Sequence, residues 1–519
     1  MFFRTRKNKK RYSVLVLLLL AAMALSGCRS RNAGDDTPIT SISDLNGKTV
    51  VVQKGTPYAE LIKENEALSD VKIEYYLSNS DGLAMLVNGK ADALVTDFCA
   101  AQAMANRYSG FVILNESLDT ADYGFAFRKG DPVMALFSEV IREMKKDGRL
   151  AAITDKWLGG DYSQATLPEQ DWPGLNGTLD CQVSPEMEPI CYPDGTDVTG
   201  LDVDLLLNIA RELDYHITFT TNYFSDMLPQ LVAGYTDIVG SALTITDDRK
   251  ESVDFTESYL SDDTVLLVRR GGNTSGEGFF LSLINSFRRV FAENGHWQDI
   301  LMGIGRTLLL TVLTVTTGLI FGSLLFVWGY TESRISKTVI SVLSWLFTMM
   351  PTSTWLLIMY YIVFAGQSGS ASFWAATIAF TVYLGFTVCS LLQSNVDGVG
   401  IGQSEAAYSM GYSRFKALRL ILIPQALPGF LDDLQNAVVC HIKDTSIVGM
   451  ITVLDIQQVA DLIRAETMDP FLTLIFTAVI YILLCWGGSA LVRSVRLSKL
   501  FAPKTEADIR KKIMKGMTK

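Results

Sequence analysis

A chain of 519 residues is long enough for about three domains, and its net charge of -10 with no basic face interleaved with aromatics excludes nucleic acid as a partner class. His216, His296 and His441 are scattered without ligand spacing, so no metal site is expected. The averages of 49% hydrophobic and 19% charged residues hide two regimes, a charge-rich front to about residue 270 and an apolar back from about 305 to 492. This is the pattern of a soluble module joined to a membrane module.

At the front, Arg4, Arg6, Lys7, Lys9, Lys10 and Arg11 precede an apolar run from Val14 to Leu25, too short for a comfortable span of about 20 residues and shaped like an export signal. Leu25-Ser26-Gly27-Cys28 resembles a bacterial lipobox, which implies cleavage before Cys28 and acylation of its thiol; the other reading is an uncleaved anchor helix. Of the remaining cysteines, Cys389, Cys440 and Cys485 fall in apolar segments. Cys99, Cys181 and Cys191 fall in an exported region where a disulfide is permitted, so Cys181 and Cys191 are either bridged or buried thiols.

Residues 38 to 160 alternate β-branched runs ("KTVVVQKG", "VKIEYYL", "ADALVTD") with helical patterns ("YAELIKENEA", "PVMALFSEVIREMKKDGRLAAITDKWLGG"). Residues 177 to 270 repeat the alternation with "GTLDCQVSP", "TGLDVDLLLNIARELD", "TDIVGSALTIT" and "TVLLVRRG". Strands interleaved with helices at this spacing predict two α/β lobes.

The stretch from "GTLDCQVSPEMEPICY" to "SALTITDDRKESVDFTESYLSDDTVLLVRRG" resembles the first lobe of the polar amino acid binding proteins of ABC importers. "ISDLNGKTVVVQKGTPYAELIKE", "LVNGKADALVTDFCAA" and the helices to residue 160 resemble their second lobe and closing helices. The second lobe therefore comes first. The order implies a circular permutation, with residues 161–176 joining the old termini and the cut after Arg270; tandem truncated copies, or half-domains exchanged between protomers, are the other readings. By resemblance, Arg249 supplies a bidentate donor for an amino acid carboxylate, assisted by Thr244, Ser241 and the backbone N–H near Ala242, while Asp97 on the other lobe takes the ammonium. Thr56 adds a second-lobe contact and Phe224 packs on the ligand side chain. Met187 and Ile190 stand where the family often has aromatics, and Pro57 replaces a usual hydroxyl residue. Arg249 in a surface salt bridge with Asp247 or Asp248, and Asp97 as a helix cap, are the structural alternatives.

Residues 276–298 mix Phe, Leu and Trp with Arg288 and Arg289, as an amphipathic linker at the bilayer or on protein would. Apolar runs near 304–328, 338–364, 373–394, 428–454 and 471–491 predict five spans, the second broken at Pro351 and the fourth at "HIKDTS". Arg334, Lys337, Arg414, Lys416, Arg419 and the basic tail 496–519 fall on one side and Arg464 alone on the other, which places the C-terminus in the cytosol and the binding domain outside. Lys443 is either a pathway residue or a snorkelling anchor.

"GQSEAAYSMGYSRFKALRLILIP", residues 402 to 424, resembles the EAA loop of ABC importer permeases through Glu405, Ala406, Ala407, Gly411 and Pro424, departing at Ile423. That implies a surface for ABC ATPase subunits, which bind the ATP and Mg; this chain itself needs no cofactor. "NGKT" at 46–49 lacks the first glycine of a phosphate loop, since that place is Ile42. The sequence thus predicts a multi-domain protein, an α/β two-lobed periplasmic-binding-protein-like domain at 38–270 and an all-α transmembrane permease domain of five helices at 299–495. The function it implies is binding and import of a polar amino acid across a bacterial cell membrane, as a permease homodimer or heterodimer in membrane lipid. An amino-acid-gated receptor or channel and an exported dehydratase on the same fold are the rivals from other classes.

Overall fold

Buried strands with apolar residues on both faces set the architecture of the front half. The computed structural model describes residues 39–497 except 108–109, 271–286, 289, 292–295, 332–333, 365–369 and 468–469. The export signal with Cys28, most of the linker at 276–298 and nearly all of the basic tail lie outside the described residues.

The first sheet contains β1 (Thr49–Gln53), β2 (Lys72–Tyr76), β3 (Ala93–Asp97), β4 (Phe111–Ile113) and β5 (Asp119–Tyr123). The second contains β6 (Ala126–Arg128), β7 (Thr178–Val183), β10 (His216–Thr221), β11 (Ile238–Val239) and β12 (Val253–Phe255), with the hairpin β8 (Tyr192–Asp194) and β9 (Asp197–Thr199) apart. β13 (Leu260–Arg269), which closes the segment 177–270, returns to the first sheet, antiparallel to β3, β4 and β5. Each sheet therefore borrows from the other segment: the order of the first is β2-β1-β3-β13-β4 and of the second β10-β7-β11-β6-β12. Val50, Val51 and Val52 of β1 and Ala93, Leu94 and Val95 of β3 are all buried, as strands covered on both faces must be.

We call the unit around the first sheet lobe A and that around the second lobe B. The chain passes between them twice, from β5 to β6 and from β12 to β13, and these crossings are tied together. Thr256 N donates to Phe125 O (2.9 Å), Thr256 Oγ1 accepts from Phe125 N (3.0 Å), and the rings of Phe125 and Tyr259 stack at 4.5 Å. At Gly124 a Cβ would meet Ile245 Cδ1 at 2.9 Å and Thr256 O at 3.2 Å, so the crossing leaves no room for a side chain.

Helices in the front half are α1 (Tyr58–Glu64), α2 (Asn79–Val87), α3 (Phe98–Arg107), α4 (Pro132–Asp147), α5 (Arg149–Leu158), α6 (Leu201–Glu212), α7 (Phe224–Val232) and α8 (Asp247–Ser252). α4 begins with Asp131 accepting from Val133 N and Pro132 in the first turn, and ends at Gly148 with φ 86°. α5 is fastened to lobe B through Asp204 of α6, whose Oδ2 accepts from Trp157 Nε1 (2.8 Å) and Lys156 Nζ (2.6 Å).

The joining segment at 161–176 is a fitted ribbon. The Gln170 side chain exchanges hydrogen bonds with Ile217 N (2.8 Å) and O (2.9 Å), acting as one more rung on the edge strand β10. Trp172 Nε1 donates to Tyr215 O (2.6 Å) and the Arg211 guanidinium lies 5.1 Å from its ring centroid. Cys181 and Cys191 are buried free thiols.

The back half is helical: α9 (His296–Thr331), α10 (Arg334–Met349), α11 (Thr352–Ile358), α12 (Ser370–Asp397), α13 (Ile401–Ser409), α14 (Arg414–Ala417), α15 (Ile423–Asp444), α16 (Ile456–Thr467) and α17 (Pro470–Leu497). Among the described residues three helices are long and apolar enough to cross a membrane, within α9, α12 and α17, and two bent pairs bring the number to as many as five. One pair bends by 105° at Pro351, which ends the ladder of α10. In the other, α15 passes through "HIKD" intact, tightens to a 3₁₀ turn at Thr445–Ile451, and meets α16 at 55°. α16 was expected to be outer loop; Ile456, Val459, Ala460 and Ile463 form its buried face, a helical period overlooked because the segment is too short and polar to span.

Candidate functional site

Arg249 stands in the first turns of α8, where Thr246 Oγ1 caps its backbone N–H at 3.3 Å. The guanidinium turns inward: Nη1 donates to Thr244 O at 2.7 Å within lobe B, and Nη2 donates to Gly55 O at 2.7 Å in lobe A. The face of Phe224 lies 5.6 Å from its carbon. Desolvation by burial lowers its pKa to about 10. Its hydrogen bonds go to neutral carbonyls in a half-buried place, and the surface pairing with Asp247 or Asp248 is not formed: Lys250 takes Asp247 at 3.0 Å.

Asp97 ends β3, fully buried, paired in register with Thr264 of β13. The cap of α3 is supplied by Asp262, whose Oδ2 accepts from Cys99 N at 2.9 Å, so the capping role does not fall to Asp97. Burial pushes its pKa up to about 7 against the opposing influence of the Tyr58 and Tyr123 hydroxyls and of Arg249. The two phenols lie near enough to favour the carboxylate, yet Asp97 Oδ1 and Tyr123 Oη make no hydrogen bond of standard geometry. A buried acceptor without a donor is costly, about 1–3 kcal/mol, and the half-buried Arg249 of the other lobe is near enough to favour its charged form.

The other expected contacts divide. Phe224 is buried beside Arg249, and the Thr244 carbonyl orients the guanidinium. Ala242 N–H, expected to face a ligand, instead donates to Asp202 Oδ2 at 2.8 Å, and Ser241 Oγ accepts from Ser184 N at 2.7 Å. Both residues adopt left-handed φ, 69° at Ser241 and 49° at Ala242, a conformation costing about 1–3 kcal/mol each that these two anchors hold. Thr56 Oγ1 folds back to Gln53 O at 2.7 Å. Asp202, its pKa pushed up to about 6 by burial, was missed; the signal was an acid inside the otherwise apolar "GLDVDLLLNIA".

Also missed was Glu186. Its Oε2 accepts from Asn79 N (3.0 Å) and Gln53 Nε2 (3.2 Å), and its backbone O from Asn79 Nδ2 (2.9 Å), so a lobe B loop latches two lobe A elements. Burial raises its pKa to about 8. It neighbours Met187, close to where aromatics were expected.

In the back half, α13 and α14 form a helical pair around Gly411, whose φ of 81° permits the turn. Ala407 is buried in the joint, while Glu405 and Ala406 are exposed beside Tyr408 and Met410. Pro424 stands in the first turn of α15, where its missing N–H costs nothing. Lys443 is exposed.

The sequence matches the family of bacterial extracellular solute-binding proteins, family 3, over residues 179–518. The chain belongs to that family. The family 3 protein is also 30% identical over 189 residues to the probable glutamine ABC transporter permease protein GlnM of Bacillus subtilis (strain 168), covering 35% of this chain and 84% of that one. It is 30% identical over 133 residues to the L-cystine-binding protein TcyJ of Escherichia coli (strain K12), covering 25% of this chain and 49%, about half the length, of that relative. A crystal structure of an amino acid ABC transporter with histidines is 26% identical, with a TM-score of 0.37, covering 42% of this chain and 98% of that chain. The family 3 protein therefore joins a solute-binding domain to an ABC permease domain, and it is a transport component rather than an enzyme.

Proposed function

We propose that this chain captures a free polar amino acid between its lobes and passes it through its own helical domain, driven by separate ATPase subunits. The observation that carries this reading is the pairing of a half-buried guanidinium on lobe B with a buried carboxyl group on lobe A whose Oδ1 makes no hydrogen bond. A zwitterion supplies an anion and a cation at once. Its carboxylate replaces Gly55 O at Arg249, and its ammonium satisfies Asp97 Oδ1. The two relatives named for glutamine and cystine make these the first ligands to test.

The half-length match to a binding protein supports the permuted order, because a collinear alignment follows only one segment of a reordered domain. β13 in the middle of the first sheet supports closure within one chain. The exposed pair α13–α14 is the ATPase surface, with Glu405 reaching a cation there; ATP and Mg belong to that partner. A homodimer supplies two such surfaces, with the C-terminus on the ATPase side of the membrane. Cys28 acylation completes the reading as an expectation at the N-terminus.

Calorimetry on the full chain in lipid nanodiscs with L-glutamine, L-cystine and a panel of polar amino acids tests the ligand class; no heat from any of them defeats it. Glu405→Lys is expected to abolish uptake in cells while leaving that binding unchanged. Retained uptake would refute the coupling surface.

A further inference from the structure

Helix α16 lies beneath the seam between the lobes and touches both. From lobe A, Asp81 Oδ1 of α2 stands 3.5 Å from Arg464 Nη1. From lobe B, the Tyr223 hydroxyl donates to Asp461 Oδ2 at 3.4 Å, and Thr221 Oγ1 accepts from Gln458 Nε2 at 3.2 Å. Arg464 Nη2 in turn stands 3.1 Å from Asp461 Oδ1. A single guanidinium thus links a carboxylate on lobe A to a carboxylate that lobe B hydrogen-bonds. Its Nε is buried with no hydrogen-bond partner, so the group has little solvent to fall back on if a carboxylate withdraws. Close by, Arg107 of lobe A donates to Glu188 Oε2 of lobe B (2.8 Å) and to the Glu466 carbonyl of α16, a second three-way joint.

We propose that Arg464 is a positioning residue that reads lobe closure. Asp81 shares α2 with Asn79, the residue that Glu186 latches across the cleft. When the lobes rotate apart about the two crossings, α2 moves relative to Tyr223, and α16 cannot keep both partners. The chain Asp81–Arg464–Asp461–Tyr223 is then complete only in the closed form, so docking and ligand capture stabilise one another by linkage. A docking surface indifferent to closure would hold the domain equally well in either state and leave affinity unchanged. The inference rests on the importer reading for its purpose, but its geometry concerns closure alone.

Two readouts on the full chain in nanodiscs, without ATPase, test it. The first is L-glutamine affinity by calorimetry; the second is hydrogen exchange at the Asn79 amide with no amino acid added, which reports lobe opening directly. Arg464→Gln and Asp81→Asn are each expected to weaken binding about tenfold and to speed exchange at Asn79 by a similar factor, within the usual range of coupling between sites. Arg464→Lys, which keeps a cation between the two carboxylates, is expected to hold both readouts near their wild-type values. Wild-type exchange at Asn79 in both Arg464→Gln and Asp81→Asn overturns the proposal whatever the ligand. Altered exchange with no amino acid bound by the wild type keeps the coupling and defeats the ligand assignment instead.

Discussion

The cleft between the lobes and the face of α16 each hold an arginine, half-buried in the first and buried in the second, and they satisfy it in opposite ways. Arg249 rests on two neutral carbonyls, one from each lobe, and on an aromatic face. Arg464 stands between two carboxylates. A buried cation compensated by fixed anions is a joint, because its charge is already met; one held by carbonyl dipoles still favours an anion from outside. The difference separates a binding site from a coupling site without reference to any ligand.

The largest loss is expected at Arg249. Arg249→Ala is expected to weaken amino acid binding by on the order of 1000-fold, the scale of removing one member of a buried charged pair, whereas Arg464→Gln weakens it about tenfold. Equal losses in calorimetry would erase the distinction.

The next largest effect is pH. Asp97 has its pKa raised to about 7, so in the free protein it is protonated below that value and ionised above it. An ammonium group needs the carboxylate, and affinity should rise about tenfold per unit as pH approaches 7 from below, levelling above about 8. Asp97→Asn is expected to flatten that profile. The same variant should raise the unliganded protein's stability at pH 8 by on the order of 2 kcal/mol, since a group raised from 3.8 to about 7 opposes folding increasingly as pH climbs between those values. Thermal unfolding of the full chain in nanodiscs checks the sign.

Glu186→Ala sharpens the role of the latch. It leaves Asn79 N without its acceptor and is expected to weaken ligand binding about tenfold through loss of closure. An unchanged Kd would mean that the lobes close without it. Smallest is Gln170→Ala, which removes two hydrogen bonds between the joining ribbon and β10 and should cost about 1 kcal/mol of stability in denaturant unfolding, with ligand affinity intact. A loss of binding there would make the ribbon part of the cleft.

Much of this was legible along the chain. Periodicity marked the α/β lobes and the apolar runs, whereas Arg249 in "TITDDR" and Asp97 in "LVTDF" stood out through the resemblance to amino acid binding proteins. Glu186 and Asp202 were not legible. One sits in a loop whose neighbours suggested packing, and the other looks like the polar face of an amphipathic helix until α6 is buried on nearly every side. The expected contacts Ser241, Ala242 and Thr56 have one feature in common: each has a donor or acceptor engaged by a partner within its own lobe.

By itself the sequence determined the two regimes and the alternation of strands and helices, since these depend on composition and short-range spacing; the lobe order and the residues that could meet a zwitterion were what the family resemblance implied. Tertiary structure alone decided that β13 completes the first sheet and that Arg464 lies under the seam. It also decided which buried charges are compensated, because compensation depends on groups brought together from distant parts of the chain, and no local pattern records who their neighbours will be.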